Sequence, residues 1–249
     1  MTYLDPLAAP FHLEGTNGEG VLVVHGFGGT PAHLRMVAEY LNAEGYTVNG
    51  PLLAGHGTSL EDMETTGRRD WLASARRGFG QLSGDSDRVH LLGFSMGGLL
   101  GLSLAAQLAV ASLTTLNTPI KLHDRRQPLA RVLKYVQRFR MWEGGEPKPQ
   151  GEAARYWVQY EGFSVKAAVQ LLDLIRETKA QLPQVTCPLL VVQSRVDESV
   201  RSVSAEIIMQ RTSSFHKELV WLERSRHNSL LYDERNVIHD KVLEHIRRL

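Results

Sequence analysis

The stretch Val89-His90-Leu91-Leu92-Gly93-Phe94-Ser95-Met96-Gly97-Gly98-Leu99-Leu100 decides how this chain folds. The apolar run 89–93 reads as a buried strand, and Leu99, Leu100, Leu102 and Leu104 open a helical pattern just beyond it. Between the two, Gly93-x-Ser95-x-Gly97 marks a sharp strand-to-helix turn. Such a turn forces its middle residue into an unfavourable backbone conformation. Glycines two positions to either side remove side chains that would collide. The result lifts a serine hydroxyl above the strand end, with a helix N-terminus beneath it that favours developing negative charge.

Working outward, other short apolar runs alternate with helical patterns. The clearest are 21–25, 113–116, 189–193 and 219–222. Several are continuous Val and Leu rather than alternating, as strands covered on both faces require, so the reading is α/β with a mostly parallel sheet flanked by helices. Thr30 is placed to cap a helix opened by Pro31, with Leu34, Val37, Ala38 and Leu41 on one face and Gly45 at its end. A last helix starts near Glu234 and carries Ile238, Val242, His245 or Ile246, and Leu249 on one stripe. Between 120 and 182 no convincing strand is visible, and 143–151 is rich in Gly and Pro. A structureless loop of that length is improbable in a compact domain. The expectation is one domain over 1–249, with a small helical cap inserted at 120–182.

A reactive serine needs a base, and the base needs an orienting acid, here in the order Ser…Asp/Glu…His. The run 189–193 is followed by Asp197 and Glu198, and the run 219–222 by His227. Both would emerge at the sheet edge where Ser95 stands, the edge at which open α/β sheets bind ligands. Ser95, Asp197 and His227 are therefore the expected catalytic residues, with Glu198 the rival acid. Asp233 and Glu234 fit the acidic first turn of the last helix better. His25-Gly26-Phe27-Gly28-Gly29 follows the first buried strand, where a close backbone approach to a carbonyl belongs. The backbone N–H groups of Phe27 and Met96 are the expected oxyanion donors. His25 is expected to prop that loop, and His56, in Gly55-His56-Gly57, to be structural.

Composition narrows the rest. The 249 residues carry 28 Lys and Arg against 27 Asp and Glu, a formal net charge of +1, so no overall field exists to grip nucleic acid or an anionic membrane. The richest basic stretch, Arg125-Arg126 to Arg140, is expected to be a solvated face. Cys187 is alone, which excludes an internal disulfide. No His-Glu-x-x-His, cysteine cluster or calcium loop is present, and no metal or other cofactor is expected. The first residues lack a basic segment followed by an apolar one, and no run approaches a membrane span. A cytoplasmic protein without stable membrane insertion is expected.

On Gly93-Phe94-Ser95-Met96-Gly97-Gly98, His25-Gly26-Phe27-Gly28-Gly29, Gly55-His56-Gly57, Asp70-Trp71, Asp197 and His227-Asn228, the chain resembles the α/β-hydrolase superfamily. More narrowly it resembles small bacterial carboxylesterases and monoacylglycerol lipases with a compact cap. That resemblance implies Ser95 as nucleophile, Asp197 as acid, His227 as base and Phe27 and Met96 as oxyanion donors. It also implies hydrolysis of small-molecule esters; short- to medium-chain acyl groups are expected because the chain is compact and shows no evident large interfacial lid. A monoacylglycerol lipase is the nearest alternative. C–C bond hydrolase, amidase and non-hydrolytic ligand-binding relatives stand further off. Arg226, where many relatives carry a small residue, departs from the pattern.

Overall fold

A computed structural model describes residues 3–124, 127–142 and 147–249. In chain order the main elements are β1 (Phe11–Leu13), β2 (Glu19–Val24), α1 (Arg35–Ala43), β3 (Thr47–Gly50), α2 (Leu60–Thr65), α3 (Arg68–Asp85), β4 (Arg88–Phe94), α4 (Met96–Ala105) and β5 (Ser112–Leu116). There follow α5 (Gln127–Leu133), β6 (Phe139–Met141), β7 (Gly162–Ser164), α6 (Val165–Gln181), β8 (Leu189–Ser194), α7 (Val203–Arg211), β9 (Lys217–Leu222) and α8 (Arg235–Arg247). The main sheet runs β1-β3-β2-β4-β5-β8-β9, parallel throughout except for β1 against β3.

Each face of that sheet has its own core, which explains the unbroken apolar runs. Leu22, Val24, Val89 and Leu91 pack on the side of α3, α4 and α7, and Val21, Val23, Leu92 and Phe94 on the side of α1 and α8. Successive strand residues point to opposite faces, so both sets must be apolar. Helix α4 is buried along its whole length, which accounts for a sequence without a polar face. The chain order reverses beside β2 and β4, and the crevice beyond the carboxyl ends of those strands is where ligands bind in such sheets.

Two expectations need correction. Thr30 does not cap a helix with its side chain. Its hydroxyl donates to the Val158 carbonyl at 2.8 Å, and Pro31–Leu34 form a 3₁₀ turn before α1 begins. The stretch 120–182 does contain strands: β6 and β7 pair antiparallel, Phe139 opposite Ser164. Three-residue strands are too short for their periodicity to register. Gly45 ends α1 as expected, at φ +94°, with its N–H on the Asn42 carbonyl at 2.9 Å. Part of the Gly- and Pro-rich 143–151, and Arg125 and Arg126, lie outside the described residues. Arg131 and Arg138 pair with Asp173 and Glu64, each at 2.6 Å. The Cys187 thiol, mostly buried, is pushed up to about 11. Among the described residues no helix is long and apolar enough to cross a membrane.

Candidate active site

Strand β4 ends at Phe94 and α4 begins at Met96, leaving Ser95 alone in the turn at φ 53°, ψ −119°. A β-carbon does not favour that region, so the surrounding structure must hold it there. The Ser95 N–H donates to the Leu116 carbonyl at 2.8 Å. The two flanking glycines are required by contact: a methyl on Gly93 would lie 2.3 Å from the Gly97 carbonyl oxygen, and one on Gly97 would lie 1.9 Å from the Val24 carbonyl oxygen.

The loops after β8 and β9 bring the other two residues to the same edge. His227 Nδ1 lies 2.8 Å from Asp197 Oδ2, and its Nε2 lies 3.0 Å from Ser95 Oγ. An ionised carboxylate only accepts, so Nδ1 carries the proton and Nε2 is left to accept from the serine hydroxyl. The Asp197 side chain is fully buried, and its second oxygen accepts from the Ser199 and Val200 N–H groups, each at 2.8 Å. Glu198, the rival acid, pairs instead with Arg226 at 3.2 Å, which also accounts for the unusual arginine.

The loop 25–29 lies against the serine: a methyl on Gly26 would stand 3.1 Å from the Ser95 β-carbon. Among the described residues the Phe27 N–H has no backbone carbonyl partner, and Met96 opens α4, where first-turn N–H groups are unsatisfied by the helix itself. His25 braces this loop from within, Nδ1–H donating to the Gly26 carbonyl at 2.9 Å and Nε2 accepting from the Leu53 N–H at 3.1 Å. Burial, with His56 nearby, holds His25 well below its usual pKa, so it stays neutral. Burial likewise brings His56 to about 4, its Nδ1–H on the Ala54 carbonyl at 3.0 Å. The segment between β5 and β8 contributes too: the Tyr160 N–H donates to the Gly28 carbonyl at 2.9 Å, and Trp142 and Phe163 pack around Phe27. Ser95 and His227 open into a cavity of about 1060 Å³ with an apolar wall that includes Phe27, Leu133, Phe163, Leu171 and Leu172.

Three polar residues that hold this arrangement escaped the sequence reading. Asn117, just past β5 at φ 47°, donates through Nδ2 to the His227 carbonyl at 2.7 Å and accepts at Oδ1 from the Ser194 N–H at 2.8 Å. Ser194 in turn donates to the Ser225 carbonyl, tying the acid loop to the histidine loop. Glu234 is not a helix-dipole partner of the kind expected. Its carboxylate reaches back to the N–H groups of Glu223, Arg224 and Ser225 at 3.0, 2.9 and 2.6 Å, gathering the loop that carries His227. Burial works to raise its pKa, but those three N–H bonds win and hold it below the usual carboxylate value. An Asn directly after a buried strand, able to adopt a left-handed conformation, was a usable signal for the first of these.

Residues 21–238 match the alpha/beta hydrolase family. The chain belongs to the alpha/beta hydrolase family. Among curated proteins, it is 35% identical over 242 residues to a thermostable monoacylglycerol lipase of Bacillus sp. (strain H-257), covering 95% of this chain and 93% of that protein. It is 30% identical over 241 residues to a carboxylesterase of Bacillus subtilis (strain 168), covering 96% of each. A solved structure from work on two metagenome-derived lipolytic enzymes, LipS and LipT, superposes with a TM-score of 0.92 at 31% identity, covering 98% of this chain and 99% of that one. The expected fold is borne out, and these relatives place the chain among the serine ester hydrolases of the alpha/beta hydrolase family.

Proposed function

We propose that this alpha/beta hydrolase cleaves carboxylic esters of short- to medium-chain acids through an acyl-enzyme on Ser95, with His227 as base, Asp197 as its orienting acid, and the Phe27 and Met96 N–H groups as oxyanion donors. The observation that carries the reading is the continuous hydrogen-bond path from Ser95 Oγ through the His227 ring to Asp197, at 3.0 and 2.8 Å. As Ser95 Oγ attacks the ester carbonyl carbon, its proton passes to His227 Nε2, and the carbonyl electron pair moves onto the oxygen facing the two N–H groups. Collapse of that intermediate expels the alcohol, which takes the proton from His227. Water then gives a proton to the same imidazole, attacks the acyl carbon and frees the acid and Ser95. The imidazolium formed midway is stabilised by the buried Asp197 carboxylate. Residues 120–182 act as a cap, supplying the apolar wall for the acyl chain.

Two measurements test this reading. Ser95→Ala should lower p-nitrophenyl octanoate hydrolysis at least ~10³-fold without loss of folding; wild-type turnover in that variant would refute it. A series of glycerol and alkyl esters from acetyl to oleoyl should peak at medium length, and a maximum on long-chain triacylglycerol emulsions would contradict the predicted preference.

A further inference from the structure

The turn that carries the Phe27 N–H is braced from two sides. It closes on the Gly29 N–H, which donates to the Gly26 carbonyl at 3.2 Å, and Gly28 stands in its third position at φ +76°. A positive φ there calls for glycine. On the entry side His25, just past β2, holds the Gly26 carbonyl at 2.9 Å. On the exit side the Gly28 carbonyl accepts from the Tyr160 N–H at 2.9 Å, and Tyr160 belongs to the inserted segment rather than to the sheet.

Burial alternates along that segment. Trp157 and Gln159 line the cavity, whereas Val158 and Tyr160 are buried on the far side. Val158 packs with Ala8 and Ala32. The Tyr160 ring stacks on His56, and its hydroxyl accepts from the Thr58 N–H at 2.9 Å and donates to the Gly55 carbonyl at 3.2 Å. One face of this strap thus walls the cavity and the other grips the body of the enzyme. The Thr30 hydroxyl fixes its middle, donating to the Val158 carbonyl at 2.8 Å. The two bonds join Gly28 to Tyr160 and Thr30 to Val158, an antiparallel register whose second bond is made by a side chain. Pro31 has no N–H with which to extend it. Thr30 is 0% exposed and Val158 7%, so solvent cannot stand in for a lost donor.

We propose that Thr30 is a positioning residue for the oxyanion donor: its hydroxyl latches the strap at Val158, and the latched strap holds the Phe27–Gly28 turn towards Ser95. The inference rests on the reading of Ser95 as nucleophile and of the Phe27 N–H as donor. Fixed donors are effective because they need not reorient as charge develops on the carbonyl oxygen. Without the latch the turn can rock about its bond to Gly26. The Phe27 N–H then loses alignment with a negative charge that exists only beyond the ground state, while the apolar wall that binds the acyl chain stays as it was. The loss falls on kcat.

Thr30→Val is the test, since valine keeps the branched shape and suits the extended backbone at φ −139°, ψ 170°. On p-nitrophenyl octanoate kcat should fall ~10-fold with KM within ~2-fold, less than the ~10²–10³ lost when a donor is removed outright. Heptyl trifluoromethyl ketone, whose carbonyl Ser95 attacks to give a tetrahedral oxyanion, should inhibit ~10-fold more weakly, while inhibition by octanoate stays within ~2-fold. Thr30→Ser retains the hydroxyl donor and should restore most of both losses. A merely structural role would reduce the folded fraction and leave the ketone-to-octanoate inhibition ratio unchanged, and that outcome overturns the proposal. So does a raised KM at unchanged kcat, or Thr30→Ser as impaired as Thr30→Val. Should Thr30→Val fail to fold, Tyr160→Phe frees the same strap from Gly55 and Thr58 and should weaken the ketone in parallel with kcat; unchanged ketone inhibition there overturns the proposal equally. Folded wild-type protein that hydrolyses no ester and takes up no fluorophosphonate would instead remove the reading of Ser95 itself, before any variant is made.

Discussion

At Ser95 the backbone is held at φ 53°, ψ −119°, a conformation its own chemistry disfavours, and the hydroxyl is thereby presented to His227. The strain is sustained by fixed neighbours, and the clearest of these act on the imidazole rather than on the serine. Glu234 grips three consecutive N–H groups of the His227 loop, and Asn117 holds the His227 carbonyl. Glu234→Gln exchanges one acceptor oxygen for an amide nitrogen that faces donors, leaving at least one backbone N–H of the loop unpaired. We expect a loss of about 1–3 kcal/mol in urea unfolding and a fall in kcat of ~10-fold with KM within ~2-fold. A raised KM with unchanged kcat would place the effect elsewhere. Ser95, Asp197 and His227 were legible as a set because their order along the chain and their positions after apolar runs carry the information. Asn117 and Glu234 were not. Asn117 takes its partners from segments far away in sequence, and Glu234 turns back onto residues 223–225 across an irregular loop that no periodicity announces.

Elements show the same division. Strands β2, β4, β5 and β8 are buried on both faces or nearly so, β9 at the sheet edge is half-buried, and runs of apolar residues, interrupted in β5 by two threonines, announced them. β1, β3, β6 and β7 have three or four residues each and owe their conformation to pairing partners rather than to local pattern. The turn between β4 and α4 was readable because steric demand leaves it little alternative. Gly97→Ala would set a methyl 1.9 Å from the Val24 carbonyl oxygen, so it should destabilise the fold by about 3 kcal/mol or more. Gly80, on the exposed side of α3, is its control: a methyl there meets nothing within 4 Å, and Gly80→Ala should stabilise by about 1 kcal/mol through helix propensity. Denaturant midpoints of the two variants check both signs. A neutral Gly97→Ala would contradict the packing described here.

Across the whole molecule, burial of neutral imidazoles sets a pH limit. His33, His56 and His239 are each drawn from 6.5 to about 4, in every case mainly by burial. Between those values the unfolded chain takes up protons that the folded chain refuses. The stability these groups confer is therefore present above about pH 6.5 and declines as pH falls towards 4. Each contributes a slope of at most about 1.4 kcal/mol per pH unit. Urea midpoints should drop steeply between pH 6.5 and 4.5, while a flat profile there would mean the rings are hydrated and charged. The proposal on which the rest depends is that one sheet edge brings the Ser95 hydroxyl to an imidazole oriented by a buried carboxylate, and that this activates the serine. Its most direct measurement is the site and rate of modification by a fluorophosphonate, read by peptide mass spectrometry. A single adduct on Ser95 is expected, forming at least ~10²-fold more slowly in His227→Ala. An adduct on another residue, or labelling of Ser95 that is indifferent to the loss of His227, would contradict it.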